Sequence, residues 1–421
     1  MRRKRKTYHF QYGLAILFFL FVITGITTGL QGEQKQEVVQ KLSQEEQRKQ
    51  KTEQKIKEKK IIRVLIMDNG YQNIVHPKVI LSIGGKKEEI SPDDKRFDGD
   101  ESICFDAGKQ LITIESLERG YGTPSYAGTL ELYSTAEGIV IINELPVEQY
   151  LRAVVPSEMP ASYELEALKA QAVCARSYAY RQMEKYAYPE YEAHVNDSTD
   201  YQVYGNSKTQ ESTNQAVQET NGEAVYYNGK LVTTYYYSTS CGKTTDVQAW
   251  GTKPSDKNKY LQSVKVKGKQ GYYEKNLPWY RWKAYLPVET VSNLVGINTG
   301  KDVGEITDIE VTERGAGDIA LEIKITGKKG TVTVETENKI RTALGGRGYQ
   351  IELNDGTMTD SRTLLPSAFF SVEKKEGRFV LEGGGFGHGI GMSQNGANEM
   401  AKSGKDYKEI LTMFYQDVEI R

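Results

Sequence analysis

The spacing of apolar residues changes near Val147, and this change constrains the fold of the 421-residue chain more than any other feature. From residue 61 to residue 142, short alternating apolar segments are separated by Gly, Asp and Asn, which is typical of β-strands. Beyond that point VEQYLRAVV has helical spacing, and a longer helix is predicted over residues 163–186. Strand-like segments return between residues 224 and 337. This mixture predicts an α+β fold in which helices interrupt β-rich elements.

The clearest hairpin signal is Asn228-Gly229, which separates two strand-like runs. Both residues tolerate the positive φ angles of a type I′ turn. Three tyrosines follow at positions 235–237, and their rings either stack on sugars or pack as ordinary strand residues. A further helix is predicted at NKIRTALG, residues 338–345.

The N-terminus begins with MRRKRK, followed by an apolar run of about the length that crosses a bilayer. The basic residues predict a cytoplasmic N-terminus, with the bulk of the chain extracellular. A cleaved signal peptide is the alternative, but the run is long for one and no A-x-A site follows. We therefore expect a single-pass membrane anchor within residues 1–30. Residues 31–60 are rich in Gln, Glu and Lys, which predicts a solvated spacer.

Composition excludes some classes of partner and site. The formal net charge is −1, whereas a nucleic-acid-binding protein usually has a clear basic excess, so we expect no nucleic acid partner. The three cysteines, Cys104, Cys174 and Cys241, are an odd number without a CxxC pair. They predict free buried thiols and not a disulfide framework.

The stretch PSEMP holds one carboxylate, Glu158, between two prolines. We expect it to precede the long helix, for which Ser162 is a plausible N-cap. Within that helix Lys169 and Arg176 are seven residues apart, so they lie within about 20° of each other beside the apolar stripe. Either both side chains extend out of a half-buried face, or they border a polar cleft next to Glu158.

Glycines alternate with larger residues from position 385 to position 391. If this segment is extended, one of its faces is bare backbone, which allows close approach by a strand or a ligand. The segment satisfies neither common phosphate-binding glycine pattern. A lone histidine such as His388 is more often structural than catalytic, and no G-x-S-x-G elbow supports a serine triad. Ser393 and Gln394 follow directly and offer polar contacts.

Several motifs in order resemble the SpoIID/LytB family, the stage II sporulation protein D group. They are PSEMP with EALKAQAVCARSYAY, QVYG at 202–205, YSTSCGKT at 237–244, GHGIGMSQNGA at 387–397, and more weakly RTALG at 341–345 and LPSAFF at 365–370. The resemblance runs from about residue 144 to the C-terminus. We therefore expect a SpoIID-like domain over residues 143–421, after a β-rich region over residues 61–142, the spacer and the transmembrane anchor.

The resemblance implies a cell-surface protein that acts on peptidoglycan, with the glycan strand as its partner. Sporulation members resemble lytic transglycosylases that cut peptide-stripped strands during cell-wall remodelling and engulfment, and the family's catalytic acid matches Glu158. The alternative is a non-catalytic, peptidoglycan-binding amidase enhancer, with a peptidoglycan amidase as its partner. The residues predicted to bind substrate are Lys169, Arg176, Tyr201, Gln202, Ser238, Ser240, Cys241, His388, Ser393 and Gln394.

Some family members hold zinc with His and Cys just before the QVY motif. In this chain Asp200 and Tyr201 stand there, and His194 alone cannot build a site. We therefore predict no metal and no cofactor, which disfavours a metal-dependent hydrolase.

A lytic transglycosylase needs one carboxylic acid, because the 6-hydroxyl of N-acetylmuramic acid replaces water as nucleophile. For this role Glu158 must stay protonated near neutral pH, so burial must raise its pKa. Lys169 and Arg176 would lower that pKa if they pointed at Glu158. The sequence leaves this conflict open.

Overall fold

The computed structural model describes residues 60–98, 102–205 and 210–421. Residues 1–59, which carry the predicted anchor and nearly all of the predicted spacer, lie outside these ranges. Within the described ranges, no helix has the length and apolar character needed to span a bilayer. The described chain is a strand-rich mixture of strands and helices, which confirms the predicted α+β class.

The elements are numbered in chain order. The first strands are β1 (Ile61–Ile66), β2 (Val75–His76), β3 (Val79–Ile83), β4 (Lys86–Ile90), β5 (Ile103–Asp106), β6 (Ile112–Ile114), β7 (Ser125–Tyr126), β8 (Thr129–Thr135), β9 (Gly138–Pro146) and β10 (Val195–Asn196). The later strands are β11 (Val225–Tyr227), β12 (Lys230–Leu231), β13 (Tyr236–Tyr237), β14 (Lys267–Gly268), β15 (Gly271–Tyr272), β16 (Trp282–Pro287), β17 (Ile306–Arg314), β18 (Ala320–Gly327), β19 (Gly330–Glu335), β20 (Gln350–Leu353), β21 (Met358–Asp360), β22 (Phe370–Lys375), β23 (Arg378–Gly383), β24 (Met392–Ser393) and β25 (Val418–Ile420). The α-helices are α1 (Val147–Glu158), α2 (Leu165–Gln182), α3 (Glu211–Glu219), α4 (Val288–Thr299), α5 (Glu337–Ala343), α6 (Gln394–Lys402) and α7 (Tyr407–Phe414).

The N-terminal strands form two sheets. One has the order β10-β1-β9-β8-β5, with β2 also paired to β9, and the other has the order β4-β3-β6-β7. Strand β1 is parallel to β10 and lies inside the first sheet, which explains why its sequence is an almost unbroken apolar run. Strand β9 crosses the boundary expected between residues 142 and 143 and leads directly into α1. Residues Ile62–Arg421 form one compact unit, and its main core joins side chains of these sheets to those of α1 and α2.

Helix α1 extends further than the sequence suggests. Pro156 lies inside it, and Glu158 is its last residue. Glu158 therefore precedes the long helix, which begins at Leu165, as expected, but it belongs to the shorter helix before it. Proline has no N–H, so the carbonyl of Arg152 loses its helical donor in the last turn, and the helix ends where Met159 adopts an extended conformation. As a result, the carboxyl group of Glu158 lies at the C-terminal end of a helix.

Helix α2 is shorter than predicted. It begins at Leu165 and ends at Gln182, whereas the pattern suggested residues 163–186. Glu164 occupies the N-cap position without a side-chain hydrogen bond, so the prediction that Ser162 caps this helix is wrong. The helix is almost entirely enclosed, because small alanines allow α1 on one side and α6 on another to pack closely against it.

The hairpin at Asn228-Gly229 is confirmed. Both residues have positive φ, 50° and 71°, and the turn joins the antiparallel strands β11 and β12. Strand β11 also pairs with β25, which brings the end of the chain into this small sheet.

The C-terminal half contains two larger antiparallel sheets, β21-β20-β16-β23-β22 and β17-β18-β19. The helix predicted at NKIRTALG is confirmed as α5. After β23 the glycine-rich segment returns to the first half of the chain, where β24 pairs in parallel with β13. This return places the GHGIGMSQNGA segment beside the end of α1.

Candidate active site

The carboxyl group of Glu158 is largely enclosed by protein, although the residue keeps part of its surface exposed. Burial raises its pKa to about 7, against the opposing effect of two hydrogen bonds. The backbone N–H of Val203 donates one of these to Oε1 at 2.8 Å, and the side chain of Tyr236 makes the other. The negative end of the α1 dipole also disfavours the carboxylate. Near neutral pH the acid and the carboxylate are therefore both populated.

Tyr236 is held in place by Gln202. The Nε2 group of Gln202 donates to the Tyr236 hydroxyl oxygen at 3.2 Å and to the carbonyl oxygen of Ala175 at 3.3 Å. Because the hydroxyl oxygen already accepts from Gln202, its own hydrogen is available for the Glu158 carboxylate. Gln202 is buried behind Tyr236, so in this conformation it orients a partner of Glu158 and does not face the substrate.

Gln394 contacts the backbone of Glu158. Its Nε2 group donates to the backbone carbonyl oxygen of Glu158 at 3.1 Å and to Oε1 of Gln171 at 3.4 Å. Gln394 is the first residue of α6, so the start of this helix fixes the backbone at the end of α1. Glu158, Val203, Tyr236, Gln202 and Gln394 are called the Glu158 cluster below.

A second buried acid, Glu274, hydrogen-bonds residues of both the YSTSCGKT and the GHGIGMSQNGA motifs. Its Oε1 accepts from Ser240 N at 2.8 Å and from Ser393 Oγ at 2.7 Å, and its other oxygen bonds the Ser240 hydroxyl. Ser393 also caps α6 by accepting from Gly396 N at 3.2 Å. Burial raises the pKa of Glu274 to about 7, against the hydrogen bonds from both serines. Ser240 and Ser393 therefore hydrogen-bond this buried acid and do not line an open groove.

The His388 ring hydrogen-bonds the backbone of Tyr236. The Nδ1 atom accepts from Ile390 N at 3.1 Å, so Nε2 carries the hydrogen and donates to the Tyr236 carbonyl oxygen at 2.9 Å. Burial lowers the pKa of His388 to about 4, so the ring is neutral at physiological pH. Its ring packs between Tyr237 and Trp250. This is the structural role expected of a lone histidine.

The glycine-rich segment is not a flat strand, because its alternate glycines have positive φ angles. A Cβ atom on Gly387 would lie 2.7 Å from Cβ of Tyr237, and one on Gly391 would lie 2.1 Å from the carbonyl oxygen of Tyr235. The close approach expected from the sequence is thus made by the tyrosine segment that carries Tyr236.

Lys169 and Arg176 do not join the Glu158 cluster. Arg176 is fully buried and binds the Glu148 carboxylate through Nε and Nη2, both at 2.7 Å. Lys169 pairs with Glu166 at 2.7 Å and with Glu219 at 2.6 Å. Among the described residues these acids, and not Glu158, are their partners, and neither cation contributes to the shifted pKa of Glu158. Their substrate-binding role stays a prediction.

The other residues predicted to bind substrate do not hydrogen-bond the carboxyl group of Glu158 in the structure. Tyr201 directly precedes Gln202 and is partly exposed. The carbonyl oxygen of Ser238 accepts from Asn395 N at 2.9 Å, next to Gln394. Cys241 is a buried thiol whose pKa is raised by burial, as is that of Cys174. The third cysteine, Cys104, is exposed, contrary to the expectation of buried thiols.

In the described part of the chain, no three His, Cys, Asp or Glu side chains are grouped as metal ligands. His194, the one candidate near the QVY motif, accepts from the backbone N–H of Arg63 at 3.0 Å, and its pKa is lowered to about 4 by burial.

Sequence reasoning missed three members of this region: Tyr236 as a partner of Glu158, Gln171, and Glu274. Tyr236 has a partial signal, since it lies in the tyrosine run just before the YSTSCGKT motif. Gln171 lies within the α2 motif but carries no charge to attract attention. Glu274 is an isolated acid in GYYEKN, and no local pattern distinguishes it from a surface glutamate.

Comparisons with known proteins identify two regions. A family model described as stage II sporulation protein (SpoIID) matches residues 135–227, which include α1, α2 and Glu158. A second, described as a domain of unknown function (DUF8618), matches residues 233–391.

Three relatives illustrate the similarity. An uncharacterized protein of Brachyspira hyodysenteriae is 32% identical over 325 residues, which cover 76% of each chain. Stage II sporulation protein D of Bacillus subtilis is 32% identical over 308 residues, covering 69% of this chain and 78% of that protein. The amidase enhancer of Bacillus subtilis is 30% identical over 291 residues, covering 63% of this chain but 39% of that longer protein. The motifs and these matches together show that the chain belongs to the SpoIID/LytB family.

Proposed function

We propose that this protein is a lytic transglycosylase that cleaves the glycan strands of peptidoglycan, with Glu158 as its general acid and base. One observation carries this proposal: burial holds the pKa of Glu158 at about 7 while the residue keeps part of its surface exposed. A general acid works best when its pKa is near the operating pH. The similarity to sporulation and amidase-enhancer proteins supports a role at the cell wall.

In the first step, protonated Glu158 gives its proton to the glycosidic oxygen as the bond from C1 of N-acetylmuramic acid breaks. Positive charge develops on the sugar ring, and Glu158 becomes a carboxylate. The N–H of Val203 and the hydroxyl of Tyr236 both donate to this carboxyl group and stabilise its charged form.

In the second step, the 6-hydroxyl oxygen of the same sugar forms the new bond to C1, and Glu158 takes up the hydroxyl proton. The product is a 1,6-anhydro ring, no water is consumed, and the acid is restored. Hydrolysis by the usual route would require a second carboxylate facing the sugar. Glu274 does not meet this need, because it is fully buried and bonded to Ser240 and Ser393.

The test is the chemistry of the product. The full chain is incubated with peptide-free glycan strands, and the fragments are examined by mass spectrometry. We expect ends that carry the anhydro sugar, and their loss in Glu158→Gln. Glu184→Gln, which removes an exposed acid paired with Arg181, is the matched control and should cleave normally. Equal product patterns from wild type and Glu158→Gln would refute the catalytic role.

An amidase enhancer is the second candidate, favoured by the 30% identity to a protein of that name. In this case the chain would bind peptidoglycan and stimulate an amidase without cutting glycan. Adding the protein to a cell-wall amidase distinguishes the two, because an enhancer raises the release of peptides even when Glu158 is replaced by Gln.

We also propose that residues 1–30 anchor the protein in the cell membrane with residues 61–421 outside the cell. The support is the basic segment before a long apolar run. Protease added to intact protoplasts should degrade the folded part but spare a short N-terminal tag. Recovery of the undamaged chain would contradict this orientation.

A further inference from the structure

A cleft of about 540 Å³ lies in the region matched only by the domain of unknown function. Its walls come mainly from the sheet that contains β16, β20, β22 and β23, and all of its lining residues fall within residues 233–391. The volume is in the range that binds small organic ligands. Glu158 does not line it.

Arg281 lines this cleft, and two backbone carbonyl groups position its guanidinium. Its Nη1 atom donates to the carbonyl oxygens of Cys241 at 2.9 Å and of Tyr280 at 2.7 Å, and the guanidinium lies 4.0 Å from the centre of the Tyr280 ring. The Tyr280 side chain also hydrogen-bonds Arg281. Within the described chain, no carboxylate pairs with this guanidinium. A fixed arginine loses little conformational entropy on binding a ligand.

The other cations of the cleft are already matched. Lys283 pairs with Glu382 at 2.9 Å. Lys243 and Arg314 share Asp318, at 3.6 Å and 3.7 Å. Arg281 is therefore the lining cation without a carboxylate partner in the described chain, and its charge is the one that an incoming ligand would balance.

The floor of the cleft is apolar and closely packed. Trp282 and Phe370 line it and are 2% and 3% exposed. Gly383 and Gly384 also line it, and a Cβ on either would meet neighbouring atoms within 3 Å. A ligand at this floor is expected to place a small apolar group there, with its charge directed to Arg281.

We propose that this cleft binds a short cell-wall peptide by its free terminal carboxylate, which pairs with the guanidinium of Arg281. A guanidinium forms strong charge-assisted hydrogen bonds with a carboxylate, and small side chains next to that terminus fit the apolar floor. The concave shape favours such a peptide over a flat membrane surface. The choice of a wall peptide rests on the proposed function, whereas the need for a carboxylate rests on the cleft itself.

The experiment is a calorimetric titration of the full chain with three probes. They are a muramyl tetrapeptide with free carboxylates, the same compound with its carboxylates converted to amides, and an oligomer of glycerol phosphate. We expect the first to bind and the amidated form to bind at least ten-fold more weakly. Equal affinity for both muramyl peptides, or tighter binding of the phosphate oligomer, would overturn the proposal.

Two variants locate the site. Arg281→Gln should weaken binding of the free peptide at least ten-fold, because it removes the charge of an exposed side chain. Arg281→Lys keeps the charge without the planar fork and should have intermediate affinity. Lys283→Gln is the matched control, since its cation is already paired, and should change affinity less than two-fold. Unchanged binding by Arg281→Gln would contradict the assignment.

This result is separable from the proposed cleavage. Arg281→Gln should still cut peptide-free strands, whereas Glu158→Gln should still bind the peptide. If wild type binds the peptide through its carboxylate but forms no anhydro ends, the transglycosylase proposal fails and the peptide site remains. If wild type cuts strands but binds both muramyl peptides equally, the peptide-site proposal fails and the transglycosylase proposal remains.

Discussion

Glu158 and Glu274 both have a pKa raised to about 7 by burial, yet their surroundings differ in two respects. Glu158 ends a helix and keeps part of its surface exposed. Glu274 is fully enclosed, and hydrogen bonds from two serines occupy both of its oxygens. A pKa near neutrality is therefore not sufficient to identify a catalytic acid. Access to a substrate separates an acid that can transfer a proton from one that holds two segments together.

The largest expected effect comes from exchanging each acid for its neutral amide. Glu158→Gln should reduce glycan cleavage by about 10²–10⁴-fold, the usual contribution of a general acid. Glu274→Gln should keep cleavage within about ten-fold of wild type, because no proton of Glu274 reaches the substrate. The initial rate of formation of anhydro ends is the measurement. An equal loss of cleavage rate in the two variants would contradict the assignment of Glu158, and not Glu274, as the catalytic acid.

The stability of the protein should depend on the ionisation of Glu274. Its pKa rises from an ordinary value of 4.5 in the unfolded chain to about 7 in the folded protein. The unfolded chain therefore loses this proton first, and stability falls as pH rises from 4.5 to about 7. At about 1.4 kcal/mol per pKa unit, the loss is about 3 kcal/mol.

Urea unfolding at pH 5 and pH 8 measures this loss. Glu158 acts in the same direction, so the test is the difference between wild type and Glu274→Gln. The variant should lose less stability between the two pH values. The same pH dependence in both proteins would show that Glu274 stays in one protonation state.

The hydroxyl of Tyr236 should influence the catalytic acid but not Glu274. Tyr236→Phe removes a hydrogen bond that favours the carboxylate, so the pKa of Glu158 should rise. Because the protonated acid starts the reaction, kcat/KM falls above a pH of about 7 in wild type, and this limb should move to higher pH in the variant. The maximal rate should fall by roughly ten-fold, the value of one hydrogen bond to a charged group.

The neighbouring Tyr237→Phe is the control, because its buried hydroxyl has no hydrogen-bond partner in the described chain. Its pH profile should match that of wild type. A shift of similar size in both variants would point to a general disturbance of β13 and not to the contact with Glu158.

The comparison also shows what the sequence could predict. Local patterns predicted the hairpin at Asn228 and the presence of α1 and α2, because turn chemistry and apolar spacing act over a few residues. They did not predict where these two helices end. Glu158 itself was identified from the motif resemblance. The role predicted for Glu158 requires a raised pKa, and in the structure burial of the carboxyl group raises it.

Contacts between distant segments could not be predicted in this way. Helical spacing places Arg176 at an angle around α2, but it does not reveal that Glu148 of α1 lies opposite and takes the arginine into the core. Likewise Glu274 is over a hundred residues before its partner Ser393. Such pairs depend on how sheets and helices pack, which a periodic pattern does not encode.

The smallest expected effect concerns Lys169, which was predicted to bind substrate beside Glu158. In the structure its ammonium group lies between the half-exposed acids Glu166 and Glu219. Ion pairs near the surface contribute about 0–1 kcal/mol, so Lys169→Gln should lower stability by no more than that. If these pairs are its only role, glycan cleavage should stay within about two-fold of wild type. A decrease of ten-fold or more, with an unchanged melting temperature, would instead support the substrate-binding role and would mean that the lysine leaves its acids when the glycan binds.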